Sequence, residues 1–374
     1  MSAVQRVLVV GGGIAGLSAA IALRQRGIAV DVVEKYRPEA VLGIGIILQG
    51  NALRALASLG ILDEVRKVGF SYAGFAFHDA DGGNRRVMEG HRSAGPEYPA
   101  MMGITRPEYS RILNRAATAA GATIYGETTV TALDDDGEGV SVTLSNGHRD
   151  RYDIVIGADG IHSTTRAAVF GDLGAPYYSG QAAWRVNFPR PNEVTLLESY
   201  DGPDGDRAGV VPLSQEVMYM YVTDTTPDPT PPQGDLREVL QKKLAGYGGL
   251  IGRLRDQLPP PEELVWKPFL LVNLPHPWHK GRVIIIGDGA HATSAHLGQG
   301  GAMAIEDAIV LAEELERHSD VAAAFTATMD RRYPRASQIQ QWSEQLCRWE
   351  IERAADADHL GITAKAFELV RQPI

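Results

Sequence analysis

The chain has one cysteine, Cys347, among 374 residues. A single thiol excludes an internal disulfide and any metal site built on several cysteines, and it points to a reducing, cytoplasmic setting. Positive charge is also scarce: 36 Lys and Arg against 46 Asp and Glu leave a formal net charge of −10. That sign argues against nucleic acid or an anionic membrane surface as partner. Long apolar runs are missing too. The stretch 7–23 is uncharged but short, and Gly11, Gly12, Gly13 and Gly16 break it, so no membrane span is expected. No repeat of fixed period and no low-complexity tract is found, and the stretch from Tyr177 to about 274 carries no nucleophile elbow, zinc-type histidine pair or phosphate loop. The run Asp134-Asp135-Asp136 lacks the loop length and distal glutamate of a calcium site and reads as a solvated turn. No metal is expected. A hydrophobic fraction of 44% with 22% charged residues fits a globular chain of one large or two domains.

What is present begins at Arg6–Val10, a short apolar run followed at once by Gly11-Gly12-Gly13-Ile14-Ala15-Gly16. Residues 17–26 then read as a helix stopped by Gly27, and 28–33 as a second strand ending at Glu34. Strand, glycine turn, helix, strand and acid in that order make a dinucleotide-binding unit. The glycines allow a tight turn and close approach to a pyrophosphate, and the acid can accept hydrogen bonds from a ribose. By itself the motif does not separate NAD from FAD.

Two further stretches repeat the strand–turn–helix device. Residues 153–156 lead into Gly157-Ala158-Asp159-Gly160. Residues 283–286 lead into Gly287-Asp288, a His- and Gly-rich loop, and a helix start at Gly300. An acid at a strand end can hold the hydroxyls of a sugar or ribityl chain, and bare backbone at a helix N-terminus suits an electron-rich ring. Between these devices, 43–51 reads as an apolar glycine-spaced loop, 52–68 as one helix, and 108–120 as another helix opened by Arg106. Residues 122–151 read as a β-meander, with a hairpin at Ser145-Asn146-Gly147-His148. From Tyr177 to about 274 successive strands predict an antiparallel sheet. In Val217–Val222 the tyrosines share one face and the methionines the other.

Three separated motifs, Gly11–Gly16 with Glu34, DIVIGADGIHSTTR at 153–166, and GDGAHATSAHLGQGGAMAIED at 287–307, together resemble the single-component FAD-dependent aromatic hydroxylases. This is the class of p-hydroxybenzoate and salicylate hydroxylases. The resemblance spans residue 6 to about 345 and implies an α/β fold: a Rossmann-like FAD-binding domain, an inserted antiparallel β-sheet substrate domain and a C-terminal helical segment. The expected boundaries are 1–70, 100–176 and 275–320 for the FAD domain, 71–99 and 177–274 for the substrate domain, and 321–374 for the helices. It implies non-covalent FAD, with NADH or NADPH as transient co-substrate and a small aromatic substrate with O2, in a monomer or homodimer. Carried over onto matching positions, Gly11, Gly13 and Gly16 would meet the pyrophosphate, Glu34 the adenosine ribose, and Arg106 the FAD phosphate and ribityl chain. Ala15, Lys35 and Val130 are further expected cofactor contacts. Asp159 and Gly160 would serve FAD and the pyridine nucleotide, and Asp288 the ribityl hydroxyls. Gly298, Gly300, Gly301, Ala302 and Met303 would present backbone N–H groups to the flavin's pyrimidine edge. Ala295 stands where the family usually has proline, and Gly289 where it commonly has alanine.

The activity so implied is hydroxylation of an electron-rich aromatic or N-heteroaromatic ring, with oxygen activated at flavin C4a. The polar groups expected to handle it are His296, Tyr219 and Arg185 as catalytic residues, with Gln181, Tyr221 and Ile47 in the substrate pocket. His291, Trp184 and Trp266 read as structural. A flavin oxidase or reductase on the same scaffold is the alternative. More remote is a non-catalytic FAD- or nucleotide-binding escort protein.

Overall fold

The computed structural model describes residues 4–37, 44–203 and 205–374. Strand Arg6–Val10 is apolar on both sides because it lies inside a covered sheet, paired in parallel with Ala29–Val33 and with Ile154–Gly157. Sheets of this kind bury both faces, so their strands read as continuous apolar runs. The six-strand order is His279–Lys280, Val283–Ile285, Ile154–Gly157, Arg6–Val10, Ala29–Val33, Thr123–Tyr125. Only the first of these runs antiparallel to its neighbour. Helix Ile14–Arg24 is buried from Ala15 through Leu23, since it packs against helices Gly300–Arg317 and Arg106–Ala119 as well as the sheet. Gly16 makes this possible: a Cβ there would sit 1.9 Å from the Gly11 carbonyl oxygen. Helix Arg106–Ala119 starts where Thr105 Oγ1 accepts the Glu108 N–H, with Pro107 in the first turn.

The second large unit is a seven-stranded sheet in the order Val265–Leu271, Tyr177–Pro189, Val217–Thr225, Arg207–Pro212, Leu197–Asp201, Gly74–Asp79, Arg86–Glu89. One face carries Trp184, Val186, Met218, Met220 and Val222 into a core with Leu240, Ile251 and Leu254 of the covering helices Leu236–Lys243 and Gly249–Arg255. Full burial of such side chains contributes about 1.5–3 kcal/mol each. The indoles of Trp184 and Trp266 both donate to Asp224 Oδ2 at 3.0 Å, which satisfies their N–H groups and leaves them as core residues. The opposite face carries Arg185, Tyr219 and Tyr221 toward a cavity.

Several expectations are corrected. Residues 45–49 form a strand, not a loop, because Gly45–Gln49 finds antiparallel partners in Met101–Thr105; Gly43 lies outside the described residues. The single helix expected over 52–68 is two, Gly50–Ser58 and Leu62–Val68, divided at Gly60 with φ of 74°. The meander of 122–151 loses its first strand, Thr123–Tyr125, to the parallel sheet, and its remainder is the three-stranded sheet Val130–Asp135, Val140–Leu144, Arg149–Tyr152. The large sheet is not wholly antiparallel, since Leu197–Asp201 runs parallel to Gly74–Asp79.

Two C-terminal helices, Val321–Glu352 and His359–Arg371, close the molecule. The longer one is locked to helix Gly300–Arg317 by a buried ionic cluster. Arg332 Nη1 donates to Glu306 at 2.7 Å and its Nε to Asp307 at 2.9 Å, and Arg335 Nε donates to Glu306 at 2.9 Å. Burial alone would raise the Asp307 carboxyl, but His291 at 2.6 Å and Arg332 pull it far below the usual range. His291 is thus a buried partner of Asp307. Among the described residues, no helix is long and apolar enough to cross a membrane, and no group of three or more His, Cys, Asp or Glu could hold a metal.

Candidate active site

A groove of about 560 Å³ follows the glycine turn, lined by Gly11, Gly12, Gly13, Glu34 and Arg106. Lys35, Val130, Asp159 and Gly160 also line it, whereas Ala15 and Gly16 lie buried behind it in their helix. Gly13 caps that helix without any side-chain hydrogen bond, and a Cβ on Gly13 would meet nothing within 4 Å. The first-turn N–H groups therefore open onto the groove with the positive end of the helix dipole. Glu34 is pinned at the strand end: its Oε2 accepts from Gly12 N at 2.7 Å and its Oε1 from Tyr36 N at 3.0 Å. Arg106 Nε donates to Gly45 O at 3.3 Å. A positive helix end, an anchored carboxylate and a cation along one groove fit a dinucleotide diphosphate with its ribose.

Asp159, in the lining of the groove, is also tied into its own turn. Its carboxylate accepts from Ser163, from Thr164 Oγ1 at 3.1 Å, and from Thr165 N and Oγ1 at 3.0 and 3.1 Å. The structure gives it the task of building its own turn at the groove's edge. Asp288 is exposed at the start of the short helix Asp288–His291. Its Oδ1 comes within 3.8 Å of where a Gly300 Cβ would stand. Gly298 takes the left-handed conformation (φ 63°), and Gln299 then starts helix Gly300–Arg317 without a side-chain cap. Ala302 and Met303 are buried in that helix. Gly301 fits between Ile46 and Ile14, where a Cβ would lie 2.9 Å from Ile46 Cδ1. Side-chain amides zip this loop to the strand at 45–49: Gln299 Nε2 to Gln49 Oε1 at 2.5 Å, and Gln49 Nε2 to Leu297 O at 2.6 Å. The proline absent at Ala295 is replaced by other restraints. Gly298 N donates to Ala295 O at 3.0 Å, and Ser294 Oγ donates to Ser343 O at 2.9 Å.

A second cavity of about 180 Å³ lies between the large sheet, this loop and the C-terminal helices. His296, Arg185, Tyr219, Tyr221, Ile47 and Gly298 line it. Gln181 does not; it is fully buried and donates to Glu350 Oε1 at 2.9 Å. Glu350, from the long C-terminal helix, is the group that residue-pattern reasoning missed. Its Oε1 also accepts from Thr223 Oγ1 at 2.6 Å, and its Oε2 faces His296 Nε2 at 3.4 Å. Neither of those two facing atoms has a hydrogen bond, although both are buried. Burial would raise the Glu350 carboxyl, but His296, Arg207 and Thr223 together bring it down to about 2, so it is an anion. The signal for it lay in the helix: Ser343 and Glu350 are polar residues on the buried stripe that also holds Ala336, Ile339 and Leu346.

Arg185 is the other unusual group. Among the described residues its guanidinium has no ion pair and no hydrogen bond. Burial lowers its pKa, Tyr219 partly offsets this, and nearby Arg106 lowers it further. Burial also raises the phenols of Tyr219 and Tyr221, the latter to about 12, so both are neutral hydroxyls.

Residues 5–343 match the family described as FAD binding domain. The chain belongs to that family. It thus belongs to the FAD-dependent aromatic hydroxylase family and is a flavin-dependent oxidoreductase whose cofactor is FAD. This flavoprotein is 34% identical over 358 residues to YetM of Bacillus subtilis (strain 168), covering 95% of this chain and 96% of that one. It is 30% identical over 381 residues to the FAD-dependent urate hydroxylase of Mycolicibacterium vanbaalenii, covering 98% and 92%. Its fold matches the crystal structure of Klebsiella pneumoniae HpxO complexed with FAD and uric acid, at a TM-score of 0.84 and 25% identity over 99% of this chain and 93% of that one.

Proposed function

We propose that this flavoprotein is a monooxygenase that uses NAD(P)H and O2 to hydroxylate an electron-rich, negatively charged aromatic or N-heteroaromatic ring. The observation that carries the reading is Arg185, a cation lining the second cavity with no counter-ion among the described residues. A buried charge is costly unless paired, so the missing partner is supplied by the substrate. Similarity to a urate hydroxylase supports an N-heteroaromatic ring. FAD supplies the electron transfer and the oxygen activation. Within the cavity, Arg185 binds the anionic end of the ring. Tyr219 and Tyr221, held neutral by burial, donate hydrogen bonds to it. His296, whose Nε2 faces the Glu350 anion at 3.4 Å, is the group placed to exchange a proton with the ring. Apolar lining from Ile47, Leu197, Phe269 and Leu297 excludes water from the reacting ring.

The test is a screen of hydroxybenzoates, hydroxypyridines and hydroxypurines for stimulated NAD(P)H oxidation, with the product identified by mass. An increase of one oxygen atom in the ring product is expected. NAD(P)H oxidation that no ring compound stimulates would favour an oxidase or reductase instead.

A further inference from the structure

The cavity face of the large sheet changes character along its width. Register places Arg185 beside Tyr221, Tyr221 beside Gly209, Gly209 beside Ser199, and Ser199 beside Phe77. One row away, Leu197 lies beside Phe75, and Phe75 beside Met88. All of these except Gly209 line the same cavity. Its polar end is therefore on the strands of Arg185 and Tyr221, and its far end is apolar. There Phe75 stacks on Phe77 at 6.3 Å and on Phe367 of the last helix at 5.7 Å. Phe75, Phe77, Met88 and Phe367 are each only partly buried, so the core does not consume their surface. The floor between the two ends stays low. Gly209 has no side chain, and the Tyr221 ring lies over it, with Cζ 2.4 Å from where a Cβ would be.

Four strand-to-strand steps separate the strand of Arg185 from that of Phe75 and Phe77. At about 4.8 Å per step this is roughly 19 Å, more than twice the length of a bicyclic aromatic ring. The ring end is the Arg185 end: Phe269, on the strand paired with that of Arg185, packs edge-on against His296 of the loop before helix Gly300–Arg317 at 6.0 Å, and Arg106 of the cofactor groove adds its charge to the surroundings of Arg185. We propose that the substrate carries a long apolar substituent, which lies along the arm formed by Leu197, Phe75, Phe77, Met88 and Phe367 while its charged ring sits at Arg185. The proposal rests on the reading of this cavity as the substrate site. It narrows that reading from compact hydroxylated rings to ring compounds with an alkyl or aryl tail.

The test uses the FAD-loaded enzyme and isothermal titration with salicylate and its 5-methyl, 5-butyl and 5-heptyl derivatives. Each buried methylene should tighten binding about threefold to fourfold, so the heptyl compound should bind at least about a hundredfold more tightly than the methyl compound. F77E, and independently F367E on the terminal helix, should flatten that dependence by placing a charge in the arm. Affinity that is flat or falls with chain length in the wild type overturns the proposal. So does failure of every member to bind, or a slope unchanged in both variants. Binding that steepens with chain length while none of the compounds stimulates NAD(P)H oxidation supports the arm and counts against the hydroxylase reading alone.

Discussion

Replacing Arg185 by methionine separates a functional cation from a structural one, because the two roles predict opposite signs. The guanidinium is densely surrounded by protein while keeping surface toward the cavity, and no ion pair or hydrogen bond holds it among the described residues. Methionine fills similar volume without the charge. Removing an uncompensated buried charge should stabilise the substrate-free protein by about 1–3 kcal/mol, since desolvation of one ion costs several kcal/mol. For a chain of this size that is a rise of about 1–4 °C in Tm. Binding should move the other way. A charge pair at about 4 Å in an effective dielectric near 20 is worth about 4 kcal/mol, so affinity for an anionic ring should fall on the order of a hundredfold to a thousandfold. Its neutral ester or amide analogue should be nearly unaffected. Differential scanning fluorimetry of the FAD-loaded proteins, with titration of both ligands, reads the two effects. A Tm several degrees lower in Arg185→Met would mean that the arginine has a structural partner. An equal loss for charged and neutral ligands would mean that it does not read charge. Either result refutes the reasoning.

Glu350→Gln keeps the hydrogen-bonding shape but removes an anion whose pKa is depressed to about 2. The wild type's stability advantage should be complete above about pH 4.5 and lost as pH falls through about 2, with a ceiling of roughly 3 kcal/mol; a gap that stays constant over this range in pH-dependent denaturation would sink the idea. Glu34→Gln should weaken FAD about tenfold to a hundredfold, because the carboxylate that accepts from Gly12 N loses its charge-assisted bonds; fluorescence of released flavin measures this, and an unchanged dissociation constant would count against a ribose contact. Arg332→Met should cost about 3–5 kcal/mol by leaving Glu306 and Asp307 buried without their shared cation, seen as a fall of roughly 4–6 °C in Tm; loss of less than 1 °C would show that the cluster is not what fastens the C-terminal helix.

The cofactor half of the molecule was legible because its constraints are local. An apolar strand, Gly11 and Gly16 in a turn too tight for a Cβ, an Ala- and Leu-rich helix and Glu34 at the next strand end follow one another within a short stretch. Each leaves its own mark on composition and spacing. The same holds for the alternation that put Tyr219 and Tyr221 on one face. Where partners decide, the reading failed. Residues 45–49 look like a glycine-spaced loop until Met101–Thr105 supplies the hydrogen bonds. Gln181 looks like a pocket residue until Glu350, 169 positions away, claims its amide.

By itself, then, the amino-acid order determined a dinucleotide fold, its glycine turn and acid, and the tyrosine face of a sheet, since these rest on backbone sterics and on periodicity within one element. Only the tertiary structure decided that Glu350 faces His296, that Arg185 has no ion pair or hydrogen bond among the described residues, and that Phe75, Phe77 and Phe367 share one wall. Those facts are distances between elements remote in the chain, set by register and helix docking, and no local pattern encodes a distance of that kind.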